Sequence, residues 1–171
     1  MRAGFQTRRL VVAPLAADEL PDALSAYASR PEHLALVEGS AGEPGRYDLA
    51  MLERDWAIAQ ATPGRVFAGI RLRASGELVG VLDWLDPNPA DGLPWVGLVL
   101  VAAAHGRRGY AREAVEGLLA HTGWPAVREG VIAGNEAGLA LARALGFRPL
   151  GRRTQTLSGG PTTVLVLERR Q

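Results

Sequence analysis

A mixed, mostly antiparallel α/β domain (α+β type), with helices on both faces of a sheet of about seven strands, is the fold this sequence predicts. Three observations carry that expectation. The chain has 171 residues and is 47% hydrophobic, enough for one well-buried domain over residues 1–171 and short for two. Three alternating apolar segments between residues 65 and 101, separated by Gly- and Pro-containing turns, read as an antiparallel meander. A later strand–helix–strand step requires a parallel neighbour reached by a right-handed crossover.

Taken in order, residues 9–13 (RLVVA) form a short strand closed by Pro14. Asp18 sits where a helix N-cap would, ahead of Leu20, Leu24 and Tyr27 at helical spacing, and Pro31 ends that helix. Residues 32–46, which contain SAGEPG, read as a loop with a helical turn around residues 33–37. In YDLAMLERDWAIAQ, residues 47–60, Leu49, Leu52, Trp56 and Ala59 share a face, which predicts an amphipathic helix stopped by Thr62-Pro63-Gly64. Strands follow over residues 65–73, 77–85 and 93–101, the first two joined by Ala74-Ser75-Gly76. Residues 112–122 read as a helix, 126–133 as a strand, and 136–145 as a compact helix capped by Gly146. Residues 147–157 and 162–169 make a terminal hairpin around Ser158-Gly159-Gly160-Pro161.

The stretch most suggestive of chemistry is VLVAAAHGRRGYA, residues 99–111. An apolar strand ends, small residues follow, and a Gly/Arg turn opens a helix. Backbone N–H groups at a helix start lack intrahelical partners, and the helix dipole is positive there. Gly106 and Gly109 allow close backbone approach to an anion, and Arg107 and Arg108 add charge at the rim. A glycine needed only for a turn is the plainer alternative for Gly109.

Composition removes whole classes of function. Nineteen basic against 18 acidic residues give a net charge of +1, without the basic excess of a nucleic-acid binder. Every basic residue is Arg, which excludes a Schiff-base lysine and a GxxxxGK(S/T) phosphate loop. Cysteine is absent, which excludes disulfides, thiolate metal sites and a cysteine nucleophile. The N-terminal segment is too polar for a signal peptide, and no apolar run approaches the roughly 20 residues of a membrane helix. A soluble, cytoplasmic protein without a resident metal is expected.

The strand feeding GRRGYA, the helix after it, and a further strand leading to Gly134-Asn135 and EAGLALARALGF together resemble the GNAT superfamily of N-acetyltransferases. That family's diphosphate loop reads Arg/Gln-x-x-Gly-x-Gly/Ala, and its later segment carries Asn before a short helix ending Leu-Gly-Phe. The loop here is Gly106-Arg107-Arg108-Gly109-Tyr110-Ala111, and the later segment runs from Asn135 to Leu145-Gly146-Phe147. The strand order is also similar, so the resemblance covers nearly the whole chain. The opening RRLVVAPL and the two early helices look most like the branch that includes the ribosomal-protein N-terminal acetyltransferases. One position departs: Gly106 stands where the family has Arg or Gln.

The resemblance implies acetyl-CoA as cosubstrate and a primary amine, on a small molecule or a peptide, as acceptor. Leu100 and Val101 would then pair with the pantetheine arm and aim an N–H at the thioester carbonyl, commonly worth about 3 kcal/mol in the transition state. Arg107, Arg108, Gly109, Tyr110 and Ala111 would cradle the diphosphate, and Asn135, which also suits a helix N-cap, would hydrogen-bond the pantetheine. Arg143 would reach the 3′-phosphate region or remain a solvated helix charge.

Catalytic groups are harder to assign. Family members often deprotonate the amine with a carboxylate and return a proton to the thiolate from Tyr or Ser. Asp83, inside VGVLDWL, is the first candidate base, with a solvated end-of-strand carboxylate as its alternative. Glu38 and His33 come next, and His105 is a neighbour of the loop. Residues 151–156 (GRRTQT) hold no Tyr, and Gly138 stands where the ribosomal branch can carry Ser, so no general acid is evident. Trp84 and Trp95 would wall the acceptor site or pack the core, and Trp95 replaces a glutamate frequent at that point, which weakens the case for a peptide N-terminus as acceptor. Glu38, Glu43 and Asp48 would suit a cationic acceptor. The missing acid also motivates a second reading, a domain that binds acyl-CoA as a sensor without turnover. A nucleotide-binding α/β protein fits less well, for want of a G-x-G-x-x-G after the first strand. A homodimer is a further expectation of the resemblance, and neither membrane nor nucleic acid is expected as a partner.

Overall fold

The computed structural model describes residues 4–39, 46–157 and 160–171. Its strands form one eight-stranded sheet in the order β1-β2-β3-β4-β5-β6-β8-β7. These are β1 (Phe5–Gln6), β2 (Leu10–Pro14), β3 (Arg65–Leu72), β4 (Leu78–Leu85), β5 (Trp95–Val101), β6 (Ala126–Ile132), β7 (Arg148–Leu157) and β8 (Gly160–Arg170). All neighbours are antiparallel except β5 and β6, so the predicted meander and the parallel crossover are both present. The extra strand is β1, two residues that pair back on Val11 and Val12.

Pro14 does not close β2 from outside but is its last residue, opposite Ala68. After it, a single 3-10 turn (Ala17–Glu19) leads into α1 (Leu20–Ala28), so Asp18 lies ahead of the helix rather than capping it. Glu19 does the pinning instead: its Oε2 accepts from the Ala16 N–H at 2.9 Å, and Oε1 pairs with Arg71 on β3. Pro31 opens α2 (Pro31–Glu38) where the sequence suggested a loop. Proline lacks an N–H that the first turn would leave unpaired anyway, so it starts a helix as readily as it ends one. The expected SAGEPG turn (residues 40–45), including Glu43, and Ser158-Gly159 lie outside the described residues. Asp48 caps α3 (Leu49–Ala61) by accepting from the Met51 N–H at 3.0 Å. Glycines at φ 79° and 63°, Gly109 and Gly123, bracket α4 (Tyr110–Thr122), and Asn135 caps α5 (Glu136–Ala144).

Two apolar clusters hold the helices on the sheet. One joins α4 and α5 to Val12, Ala68, Ile70, Leu82, Val96 and Val131 among others. The second joins α1, α2 and α3 to Phe67, Val81 and Leu100. Strand alternation assigns them to opposite faces: Ala68 and Ile70 point one way, Phe67 the other. Each fully buried Leu, such as Leu52 or Leu118, contributes about 1.5–3 kcal/mol by leaving water. Among the described residues no helix is long and apolar enough to cross a membrane.

Candidate active site

The sheet is open at its centre. β5 and β6 pair only at Trp95–Arg128 and Val96–Glu129, and then diverge. Gly97 is an extra residue in β5, bulged between the Trp84–Val96 and Asp83–Leu98 pairs on β4. A cleft of about 550 Å³ occupies the opening, walled by Gly97, Leu98 and Val99 on one side and Gly130, Val131 and Ile132 on the other. Leu100 and Val101 continue β5 past this wall, buried and paired with Val81 and Gly80.

From Val101 the chain enters the Gly/Arg loop. A 3-10 turn (Ala103–His105) precedes Gly106, after which Arg107 and Gly109 both take positive φ, 60° and 79°. Such alternation gathers successive N–H groups into a concave cradle at the helix start, where those of Tyr110 and Ala111 have no intrahelical acceptor. Arg107 and Arg108 are exposed beside it. The loop is bolted from behind by Arg9, whose Nη1 donates to the Arg108 carbonyl at 3.0 Å and whose guanidinium lies over the Tyr110 ring. Arg9 Nε meets Glu113 at 2.5 Å, and Thr7 donates to the same carboxylate. Burial raises the Glu113 carboxyl, but those hydrogen bonds outweigh it and hold the group below the usual range.

Gly106 has an ordinary φ of −62°, so its backbone does not demand glycine. Space does. A Cβ there would lie 2.7 Å from Nη2 of Arg30, whose Nε donates to the Val101 carbonyl at 2.9 Å. Ser29 accepts from the Ala103 N–H at 2.9 Å. The end of α1 therefore fixes the strand-to-loop junction, and a guanidinium stands where the loop's missing side chain would project. Sequence spacing carries no sign of Arg30, which is remote from Gly106 along the chain.

Asn135 lines the cleft, and its Oδ1 accepts from the Gly138 N–H at 2.9 Å, so the N-cap reading holds. Arg143 is exposed on α5. His105 Nε2 lies 3.0 Å from Glu77, while its Nδ1 is buried and unpartnered among the described residues.

The opposite mouth of the cleft is polar and aromatic. Asp83 is 6% exposed and both its oxygens accept from Arg65, Oδ2 from Nη2 at 2.7 Å and Oδ1 from Nε at 3.2 Å. Burial pushes the Asp83 carboxyl up, and the guanidinium pulls against that. Glu38, at the end of α2, is buried and lines the same mouth, as do His33, Tyr27, Tyr47 and Asp55. Tyr47 donates to Asp55 at 2.8 Å, and burial pushes both phenols up and the His33 imidazole down. Trp95 lines this mouth under the Arg153 guanidinium, whereas Trp84 is core on the α4/α5 face.

A residue the sequence reading passed over completes the cleft. Glu129 is the last β6 residue paired with β5, its Oε1 is buried without a partner among the described residues, and burial pushes its carboxyl up to about 7. The signal was available: in VREGVI, strand alternation turns Glu129 to the same face as core Val127 and Val131.

Comparison with known proteins fits this arrangement. The family model for the acetyltransferase (GNAT) domain matches residues 9–148. An acetyltransferase from Thermus thermophilus superposes with TM-score 0.78 at 25% identity, covering 98% of this chain and 100% of the other. A GCN5-related N-acetyltransferase from Brucella melitensis gives 0.79 at 19%, over 99% and 79%. The microcin C7 self-immunity acetyltransferase MccE, solved with acetyl-CoA and AMP, gives 0.76 at 12%, over 100% and 98%. No curated protein sequence matches.

Proposed function

The chain belongs to the GNAT acetyltransferase family, and from that premise we propose that it transfers the acetyl group of acetyl-CoA to a primary amine by direct attack on the thioester. The observation that carries the reading is the parting of β5 and β6, which opens the sheet between the Gly/Arg loop and the Asp83–Glu38 mouth. Residues 107–111 take the diphosphate with backbone N–H groups. The arm runs along β5 towards Leu100 and Val101 with Asn135 alongside, and the acetyl group reaches the bulge at Gly97.

The amine approaches from the other mouth. Glu38 and Asp83 supply negative potential that draws an ammonium and takes its proton, Asp83 with its charge partly balanced by Arg65. Holding nucleophile and thioester together in a narrow cleft supplies much of the rate, because the encounter becomes effectively unimolecular.

Calorimetry with acetyl-CoA, followed by a thiol-release assay against a panel of small amines and peptide N-termini, tests this. Binding together with amine-dependent release of CoA thiol is the expected result. Binding with no release from any amine would leave an acyl-CoA sensor, and no binding at all would overturn the reading.

A further inference from the structure

Resting on the acetyl-transfer reading, we propose that Glu129 is the catalytic acid, the group that hands a proton to the CoA thiolate as it leaves. Its position is the first argument. β5 and β6 separate immediately after the Val96–Glu129 pair, so the carboxyl stands at the apex of the cleft, where an acyl group threading the sheet must react.

The second argument is which face it occupies. Val96, Val127 and Val131 belong to the cluster under α4 and α5, and alternation puts Glu129 with them. Gly130 points the other way, towards Trp95 and Val164. Glu129 thus shares its face with the loop and Asn135, where the cofactor lies, while Asp83 and Glu38 share theirs with α1–α3, where the amine enters. The leaving sulfur stays tethered to the pantetheine arm on the cofactor side, while the attacking nitrogen enters from the acceptor mouth. The carboxyl on the cofactor side therefore serves the sulfur.

The third argument is elimination among neighbours. Tyr27 and Tyr47 lie in the α1–α3 cluster and Tyr47 is committed to Asp55, while Tyr110 sits in the loop under Arg9. On the α4/α5 face, Glu129 and Asn135 are the polar side chains among the described cleft residues, and an amide does not give up a proton. Glu129's in-register neighbours, Val96 on β5 and Leu167 on β8, are apolar, and the charged α5 residues Glu136 and Arg143 are exposed. Burial alone raises the group, to about 7, so an appreciable fraction carries the proton at neutral pH.

The step balances. The amine lone pair attacks the carbonyl carbon, the C–N bond forms and the C–S bond breaks with its electron pair going to sulfur. The Glu129 proton moves to sulfur to give the free thiol. The surplus proton on nitrogen passes through the acceptor-side carboxylates to solvent, and Glu129 is reprotonated from solvent.

The test is the pH profile of kcat for the wild type and Glu129→Gln, with acetyl-CoA affinity measured on both by calorimetry. A wild-type kcat that falls as pH rises through about 7 is expected, since ionised Glu129 has no proton to give. Glu129→Gln should lose about a hundredfold in kcat and lose that descending limb, while acetyl-CoA affinity stays within about threefold. A wild-type kcat rising through this range with no descending limb, a Gln variant with full kcat, or a variant whose rate loss tracks lost affinity would each overturn the assignment. The wild-type profile stands even if the variant does not fold. A wild type that neither binds acetyl-CoA nor releases thiol would instead sink the acetyl-transfer reading, a result distinct from all of these.

Discussion

The two faces of the central sheet are built on different plans. The α4/α5 face assembles its site from contiguous sequence: the end of β5, the Gly/Arg loop and the α4 N-terminus run straight through residues 97–111, and Asn135 opens the very next helix. The α1–α3 face gathers Glu38, Asp55, Arg65, Asp83, Trp95 and Arg153 from six separate elements and loops. A backbone cradle for an anion needs particular φ angles in consecutive residues, so it leaves a motif. A side-chain pocket needs only convergence in space, so it leaves none. The cofactor half is therefore written locally and the acceptor half is written in the fold.

Changes on the two faces should separate accordingly. The largest expected effect is on stability against pH, on the α4/α5 side. Glu129 has a folded-state value of about 7 against an ordinary 4.5, so between those values the unfolded chain is ionised while the folded chain retains the proton. Its contribution is fully present below pH 4.5, declines as pH rises, and is gone above about 7, a swing of roughly 3 kcal/mol at 1.36 per unit. Urea denaturation across that range should show wild type minus Glu129→Gln falling with rising pH, and a flat difference would mean the carboxyl is not desolvated.

Next is Asp83→Asn on the opposite face. It leaves the Arg65 guanidinium beside a neutral amide in a largely buried site. Breaking a fully buried pair costs roughly 3–5 kcal/mol, and because a third of the Arg65 side chain is exposed, about 2 kcal/mol is expected here. KM for the amine should rise and acetyl-CoA affinity stay put. Lost acetyl-CoA affinity would mean that the two faces are not independent.

The smallest is Gly109→Ala. A side chain at φ 79° costs about 1–2 kcal/mol, and relief of that strain turns the loop N–H groups out of the cradle. Acetyl-CoA should bind about tenfold more weakly, with amine KM unchanged, as steady-state kinetics at saturating acetyl-CoA would show.

How far the sequence reveals this follows from the same contrast. The antiparallel meander, the crossover and the helices α1, α3, α4 and α5 are visible because periodicity is local, and Asn135 caps α5 where a cap was expected, whereas Asp18 does not cap α1 and Asp48, read only as a loop charge, caps α3. α2 was obscured because Pro31 has two opposite meanings depending on whether it follows or begins a helix. Asp83 is recognisable as a carboxylate within an apolar strand, but its Arg65 partner depends on the β3–β4 register. Arg30 shows itself only through the space left at Gly106, and Glu129 only once strand parity is tied to the cluster beneath α4 and α5.

The division of labour between the faces is tested most directly by a crystal structure of the protein with CoA bound. The diphosphate should lie on the N–H groups of residues 107–111, and the sulfur should lie in the gap between Gly97–Val99 and β6, within reach of the Glu129 carboxyl and on its side of the sheet. A sulfur emerging among Asp83, Glu38 and Trp95, or a diphosphate bound away from the loop, would contradict it.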